Sequence, residues 1–255
     1  MPKIVSYNVN GIRAALKKGF AEWLNVSDYD IVCVQESKAH LEQIDTALFE
    51  HLGYKSFWHS ANKKGYSGVG VITKQTPDHI EYGMGDEKYD FEGRVIRVDY
   101  GDVSILNIYF PSGSSGDERQ AFKMDFLDAI YDYIEKLRAT RSRLIVCGDY
   151  NICHTEIDIH NPKQNKDTSG FKPEERAWLT KFVKAGFTDS FRHFVTDPHH
   201  YSWWSYRANA RNNNKGWRID YLMATDNLKP SMNDAKILSD VKHSDHCPVF
   251  LDINF

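Results

Sequence analysis

The sequence predicts an α/β protein in which two stacked β-sheets are flanked by helices. Two observations predict it. Strand-like runs are spread across all 255 residues, more of them than one open sheet comfortably holds. The helical runs between them are amphipathic, so each has one apolar face to cover. Stacking two sheets with the helices outside covers every such face. No linker, repeat or low-complexity segment divides the chain, so residues 1–255 are expected to form a single domain.

The first strand is expected at Lys3 to Tyr7, running into Asn8-Val9-Asn10-Gly11. Ile12, Ala15, Leu16, Trp23 and Leu24 then follow at approximate helical spacing, with Arg13, Lys17 and Lys18 on the polar side. Tyr29 to Val34 is a second strand ending in Gln35-Glu36, and Leu41 to His51 a helical pattern. The middle changes character. Tyr54–Ser60, Val69–Lys74, Ile80–Tyr82, Val95–Tyr100 and Val103–Tyr109 are strand-like, joined by short turns, and are expected to be antiparallel neighbours. Gly101-Asp102 is a hairpin turn. Ser115 and Glu118 have the spacing of a capping box ahead of a long helix to about Arg138. Phe122, Phe126, Ile130, Tyr133, Ile134 and Leu137 make its apolar face. Arg143 to Cys147 is a short apolar strand that bends at Gly148 and delivers Asp149 and Asn151 just beyond its end. A polar loop covers 161–170, and Pro173 opens a helix to about Ala185. The last third holds Tyr201-Ser202-Trp203-Trp204, a basic loop through Lys215 and a strand at Arg218 to Met223. It closes with His243-Ser244-Asp245-His246-Cys247-Pro248 and a strand at Val249 to Ile253.

Aliphatic and aromatic residues make up 41% of the chain, enough to build a core, which excludes a disordered protein. No run is long and apolar enough to cross a membrane, and the N-terminal stretch has no signal- or transit-peptide pattern, so a cytoplasmic location is expected. The four cysteines form no CxxC pair, which argues against a zinc site or a disulfide framework. Cys33 and Cys147 lie inside apolar strands and read as small core residues. A net charge of −3 runs against a nucleic-acid binder over the whole molecule. A local cationic face drawn from Arg13, Lys17, Lys18, Lys63, Lys64, Arg207 and Arg211 is compatible with it.

Polar groups collect at the strand ends: Asn8, Glu36, Tyr109, Asp149, Asn151, Asp220, Asp245 and His246. Carboxylate and amide oxygens are hard ligands that suit Mg²⁺ better than zinc, and Mg²⁺ needs only one or two carboxylates beside water and substrate phosphate. Glu36, with Asn8 and Asp245, fits that sparse set. An imidazole beside a carboxylate suits proton transfer or charge stabilisation, and His246 with Asp220 could form such a pair. Asp149 could activate water, while Asn151 and Tyr109 could donate hydrogen bonds to a phosphoryl group. The reaction class is metal-assisted phosphodiester hydrolysis. Taken singly, each of these residues is also that of an ordinary turn, cap or strand rim, and spacing alone does not bring them together.

A family resemblance, carried by the following motifs, implies that they meet. Tyr7-Asn8-Val9-Asn10-Gly11-Ile12-Arg13-Ala14, Gln35-Glu36-Ser37-Lys38, Gly65-Tyr66-Ser67-Gly68-Val69-Gly70 and Tyr109-Phe110-Pro111 occur in order along the chain. Gly148-Asp149-Tyr150-Asn151, Gly216-Trp217-Arg218-Ile219-Asp220-Tyr221 and Ser244-Asp245-His246-Cys247-Pro248 continue them. With these motifs the chain resembles the exonuclease III family of apurinic/apyrimidinic endonucleases, within the larger endonuclease/exonuclease/phosphatase group. The resemblance implies a four-layer, DNase I-like α/β sandwich and a Mg²⁺-dependent enzyme, with Mn²⁺ as substitute. Its implied reaction is incision of double-stranded DNA 5′ to abasic sites, with some 3′→5′ exonuclease activity and cleaning of blocked 3′ ends. It also implies roles: Glu36 as main metal ligand, with Asn8 and Asp245 completing the neighbourhood. Asp149 would orient or activate water beside Asn151, and His246, held by Asp220, would meet the scissile phosphate close to Tyr109. A second metal on Asp149, Asn151 and His246 stays open. Arg13, Tyr66, Trp203, Arg207 and Trp217 are the expected DNA contacts, the tryptophans enclosing an extrahelical sugar. A monomer with no membrane contact is expected.

Asn10 stands where some relatives carry aspartate and Ser112 where others carry asparagine or glutamine, and the loop after Pro111 has no large side chain to insert into a helix. These departures bear on DNA handling and leave the catalytic set intact. Three other readings compete. A lipid or inositol phosphatase of the same larger group would share the metal site but add apolar loops for a membrane, and none is evident. A non-catalytic DNA-binding module would have no need of Glu36, Asp149 and His246 together. A structural interaction protein explains none of the strand-end groups.

Overall fold

The computed structural model describes residues 2–255. The chain runs β1 (Lys3–Asn8), α1 (Ile12–Leu16), α2 (Phe20–Val26), β2 (Ile31–Gln35), α3 (Thr46–His51), β3 (Lys55–His59), β4 (Val69–Thr73), β5 (His79–Tyr82), α4 (Glu87–Asp90), β6 (Val95–Tyr100) and β7 (Val103–Tyr109). It continues α5 (Asp117–Arg138), β8 (Arg143–Asp149), α6 (Pro162–Asn165), α7 (Pro173–Lys184), β9 (Phe187–Asp189), α8 (Ser190–Phe194), β10 (Asp220–Thr225), β11 (Met232–Ile237) and β12 (Val249–Ile253). One sheet has the order β11-β12-β1-β2-β4-β3 and the other β5-β6-β7-β8-β10-β9. Both are mixed: β1–β2 and β7–β8 are parallel, and their other pairings are antiparallel.

Alternation along the strands separates three apolar layers. Ile4, Cys33 and Val71 of the first sheet meet Ile105, Ile145 and Cys147 of the second between the sheets. Val5, Tyr7, Val32 and Val34 point outward, onto Ile12, Ala15, Phe20, Leu24 and Phe49 from α1 to α3. On the far side Leu106, Ile108, Leu144 and Val146 meet Phe126, Ile130 and Ile134 of α5 and Trp178 and Phe182 of α7. The two sheets with outer helices are the predicted four layers.

Several local expectations change. The pattern after β1 is two short helices, because the chain turns at Gly19, whose φ of 94° favours glycine. Leu41 to His51 divides into a 3₁₀ turn and α3, whose start is fixed by the Asp45 carboxylate accepting from Leu48 N at 3.1 Å. The middle strands do not all pair with one another. Pro77 interrupts the chain, Lys74 N still bonds Asp30 O of the first sheet, and Asp78 N bonds Asp99 O of the second. The capping box at Ser115 and Glu118 does not form. α5 begins at Asp117 after Gly116, and the carboxylates of Asp117 and Glu118 complement its dipole instead. The 161–170 loop contains the single turn of α6.

Candidate active site

Topology explains why residues far apart in sequence meet. β1 and β2 run in parallel, so Asn8 and the residue after Gln35, Glu36, leave the first sheet at the same edge. β12 runs against β1, with Val249 opposite Ser6, so the preceding Asp245 and His246 arrive at that edge too. In the second sheet Asp149 ends β8 directly opposite Tyr109 on β7 and Asp220 on β10. Stacked sheets bring both edges to one cleft of about 430 Å³, lined among others by Asn10, Glu36, Lys38, Tyr109, Asp149, Asn151, Trp203, Trp217, Asp245 and His246.

Inside it, buried Asn8 donates from Nδ2 to Asp149 Oδ2 at 2.9 Å and accepts Asn10 N on Oδ1 at 2.9 Å. Asn8 thus bridges the two sheets, with its amide oxygen already engaged. Asp149 Oδ1 accepts Asn151 N at 2.8 Å, and Asn151 Nδ2 reaches Asp149 Oδ2 at 3.2 Å and Phe110 O at 3.0 Å. His246 Nδ1 lies 2.9 and 3.1 Å from the two oxygens of Asp220, and its Nε2 points toward Asp149 Oδ2 at 3.9 Å. Tyr109 stands over Arg94, whose guanidinium is 4.7 Å from the ring centroid.

These contacts set the charges. Burial and the neighbouring Asp220 charge push Asp149 up to about 7, against the pull of His246. Burial opposes the charged form of His246, but the charge and hydrogen bond of Asp220 outweigh it and lift the imidazole to about 10. At neutral pH the site therefore holds a protonated imidazole and a carboxylate poised between its two forms, the pairing that acid–base chemistry requires. Burial and the charge of Glu36 hold the Tyr109 phenol well above its ordinary range, so it is a hydrogen-bond donor. Burial of Asp245 is more than offset by His246 and by hydrogen bonds from Asn10, Trp203 and Ser244, so it stays below the usual carboxylate range.

A second chain of contacts crosses the first sheet's edge. Lys38 Nζ is 2.9 Å from Glu36 Oε1 and donates to Asn10 Oδ1 at 2.6 Å, while Asn10 Nδ2 donates to Asp245 Oδ1 at 2.9 Å and Trp203 Nε1 to Asp245 Oδ2 at 3.1 Å. Asn10, Glu36 and Asn151 all have positive φ, at 48°, 57° and 52°. Left-handed backbone costs a non-glycine residue about 1–2 kcal/mol, least for asparagine. At Glu36 it is held by flanking bonds from Gly11 N to Glu36 O and from Ser37 N to Gly68 O. The strain turns the carboxylate out of the strand and into the cleft.

The donors are carboxylate and amide oxygens, a set that fits a hard divalent cation. Ligand atoms of Asp149, Asp220 and His246 also lie within 4.8 Å of one another and could hold a metal ion. Asn151 lies beside that cluster, its Nδ2 3.2 Å from Asp149 Oδ2. Glu36 and Asp245 supply further carboxylate oxygens to the same cleft.

Trp203 and Trp217 form one wall, edge to face with centroids 6.0 Å apart. Gly170 packs on Trp217 so closely that a Cβ there would come within 2.9 Å of its ring. The other three expected DNA contacts lie outside the cleft lining. Arg13 is exposed and donates to Lys38 O at 3.2 Å. Arg207 is exposed on the loop after Trp204. Tyr66 is half-buried, its hydroxyl met by Arg94 at 2.9 Å and Arg119 at 2.8 Å.

Sequence reasoning missed the supporting residues. Lys38 lay in a quoted motif, and its position was its only signal. Gln35 shared that motif and Asn107 carried no signal: Gln35 Nε2 donates to Asn107 Oδ1 at 2.6 Å, and Asn107 Nδ2 to Val34 O and Gly70 O, pinning the sheets together directly behind Glu36.

Two mixed sheets packed back to back, with hard oxygen donors, an imidazolium and a near-neutral carboxylate gathered where their edges meet, define a DNase I-like metal-dependent phosphodiester hydrolase. The chain belongs to the endonuclease/exonuclease/phosphatase family, whose family model matches residues 5–246. It is similar to the Bacillus subtilis exodeoxyribonuclease, 45% identical over 254 residues that cover 99% of each chain. It is similar to the Danio rerio DNA repair nuclease APEX1, at 41% identity over 98% of this chain and 81% of that protein. The structure of an AP endonuclease from Archaeoglobus fulgidus superposes with a TM-score of 0.91 over 100% of both chains at 30% identity.

Proposed function

We propose that the chain is a Mg²⁺-dependent DNA-repair nuclease that incises double-stranded DNA 5′ to abasic sites, with 3′→5′ exonuclease and 3′-end-cleaning activity. One observation carries the reading: buried Asp149 lies beside a His246–Asp220 pair, with Glu36 and Asp245, in a cleft walled by two tryptophans. Relatives named as AP endonuclease, exodeoxyribonuclease and DNA repair nuclease support it.

Asp149, oriented by its bonds to Asn8 and Asn151, takes the proton of the attacking water as the water oxygen bonds to phosphorus, the P–O3′ bond breaks, and the leaving 3′ oxygen takes a proton from solvent. The His246 imidazolium, kept charged by Asp220, binds the phosphate oxygen on which negative charge grows. The Tyr109 phenol donates to a remaining oxygen, and the Asn151 amide does so by giving up its 3.2 Å bond to Asp149 Oδ2. Glu36 and Asp245 would hold Mg²⁺, or Mn²⁺ in its place, which when bound would neutralise phosphate charge and polarise the phosphoryl group. Asn8 would complete the metal neighbourhood with the second lone pair of its amide oxygen, the first accepting from Asn10 N. Trp203 and Trp217 accept the bare sugar of an abasic nucleotide, which leaves the stack at little cost, and exclude one that carries a base. Arg13, Tyr66 and Arg207 meet flanking phosphates. One chain supplies every group, so residues 1–255 act as one catalytic domain and a monomer suffices. Among the described residues no helix is long and apolar enough to cross a membrane.

Side-by-side assays on an abasic duplex, a recessed 3′ end and a 3′-phosphate test this. Cleavage of the abasic duplex that needs Mg²⁺ and stops with EDTA is expected. Absence of metal-dependent turnover on all three would refute it.

A further inference from the structure

Arg211 belongs by sequence to the basic loop, where a phosphate contact is the natural expectation. Its surroundings differ. Nη1 donates to the carbonyls of Ser244 at 3.0 Å and His246 at 3.5 Å, and Nη2 to those of Ser239 at 2.9 Å and Val241 at 2.6 Å. The guanidinium lies over the Trp204 ring, 4.6 Å from its centroid, and Nε is buried. Every acceptor is a backbone carbonyl within residues 239–246, the segment that joins β11 to β12 and ends in Asp245-His246.

The opposite side of that segment is also held. Trp204 N donates to Asp245 O at 3.0 Å and Cys247 N to Ser202 O at 2.7 Å. The carbonyls of residues 244 and 246 thus turn toward Arg211 and that of 245 toward Trp204. Alternate peptides fixed on opposite sides set the direction in which each side chain leaves the backbone. Asp245 then meets Asn10 and Trp203, and His246 meets Asp220.

We infer that Arg211 is a positioning residue: its guanidinium clasps the 239–246 segment so that Asp245 and His246 enter the cleft correctly, and it binds no DNA phosphate. The planar fork serves several carbonyls at once, which a lysine ammonium on a flexible stem cannot reproduce. The catalytic part of this inference rests on the proposed nuclease reading, whereas the clasp does not.

Arg211→Gln and Arg211→Lys test it, with three measurements beside the wild type. In metal-free protein, amide hydrogen exchange should quicken at residues 244–247 while the strands remain protected. On an abasic duplex kcat should fall by about 10²-fold in Arg211→Gln, the scale of an ångström of misplacement, with KM little changed and Arg211→Lys intermediate. Binding of uncleaved duplex in EDTA should keep the wild-type salt slope, since a lost phosphate contact would reduce it by about 0.9. A reduced slope with unchanged kcat and exchange would make Arg211 a phosphate ligand and overturn the inference. Wild-type rates and exchange in both variants would overturn it as well. Should Arg211→Gln fail to fold, Arg211→Lys decides by the same criteria. A wild type that cleaves nothing would refute the nuclease reading, and exchange would still judge the clasp.

Discussion

Replacing Asp220 by asparagine keeps the shape of a buried side chain and removes its charge. Asp220 lies 2.9 and 3.1 Å from His246 Nδ1. Two unit charges at that distance attract by about 5 kcal/mol in an effective dielectric of about 20. The lift of His246 from 6.5 to about 10 has the same size, about 5 kcal/mol at roughly 1.4 kcal/mol per pH unit. Asp220→Asn withdraws most of this, and burial then favours the neutral ring. For the wild type, a raised folded value means that the pair's contribution to stability is complete below about 6.5 and declines as pH rises toward about 10. The variant should show no such decline. It removes both the Asp220 charge that lifts Asp149 and, once the ring is neutral, the His246 charge that lowers it, so burial, the larger cause, keeps Asp149 raised. Single-turnover cleavage of an abasic duplex should fall by about 10²- to 10³-fold near neutrality, the scale of a lost electrostatic group. The deficit should widen from about pH 6 to 9, because the variant ring sheds its proton where the wild-type ring keeps it. Loss of less than about threefold throughout that range would refute the reasoning, and an equal loss at every pH would mean that Asp220 only orients the ring.

Glu36→Gln should raise the Mg²⁺ concentration for half-maximal activity by at least about tenfold with little change in Tm, because Glu36 stands at the cleft rather than in the core; full activity at limiting Mg²⁺ would contradict it. Trp203→Ala and Trp217→Ala should lower incision at abasic sites and narrow its ratio to incision of intact duplex, with 3′-phosphate removal as control; an unchanged ratio in both would place lesion choice in the bendability of the DNA. Asp158→Asn should destabilise the fold by about 3 kcal/mol, since it strips Arg218 and Arg192 of a buried carboxylate that they meet at 2.7 Å. Those arginines outweigh burial and hold Asp158 below the usual carboxylate range, so its contribution is present above about pH 4 and fades as pH falls below that. Urea midpoints at pH 7 and pH 3 should therefore differ less in the variant than in the wild type.

The sequence by itself determined the layers and the chemistry. The largely apolar run Val103 to Tyr109, the helical repeat in α5 and the turn signals at Gly101 and Pro173 are local properties of the backbone and of hydrophobic spacing, and the elements lie where they predict. The kinds of groups at the strand ends already implied a hard cation and phosphate chemistry. Tertiary structure alone decided the rest. Whether Ile80 pairs with Val71 or with Val98 depends on which sheet edge the chain reaches after Pro77, and the partner is Val98. Lys38 and Arg211 have the same long cationic side chains as any surface lysine or arginine. One nonetheless pairs with Glu36 in the cleft and the other clasps four carbonyls, because folding placed those acceptors within reach. The charge states of Asp149 and His246 are likewise absent from their local sequence. They follow from burial and from Asp220, which strand register sets opposite Asp149, and both water exclusion and charge proximity exist only once distant segments have packed.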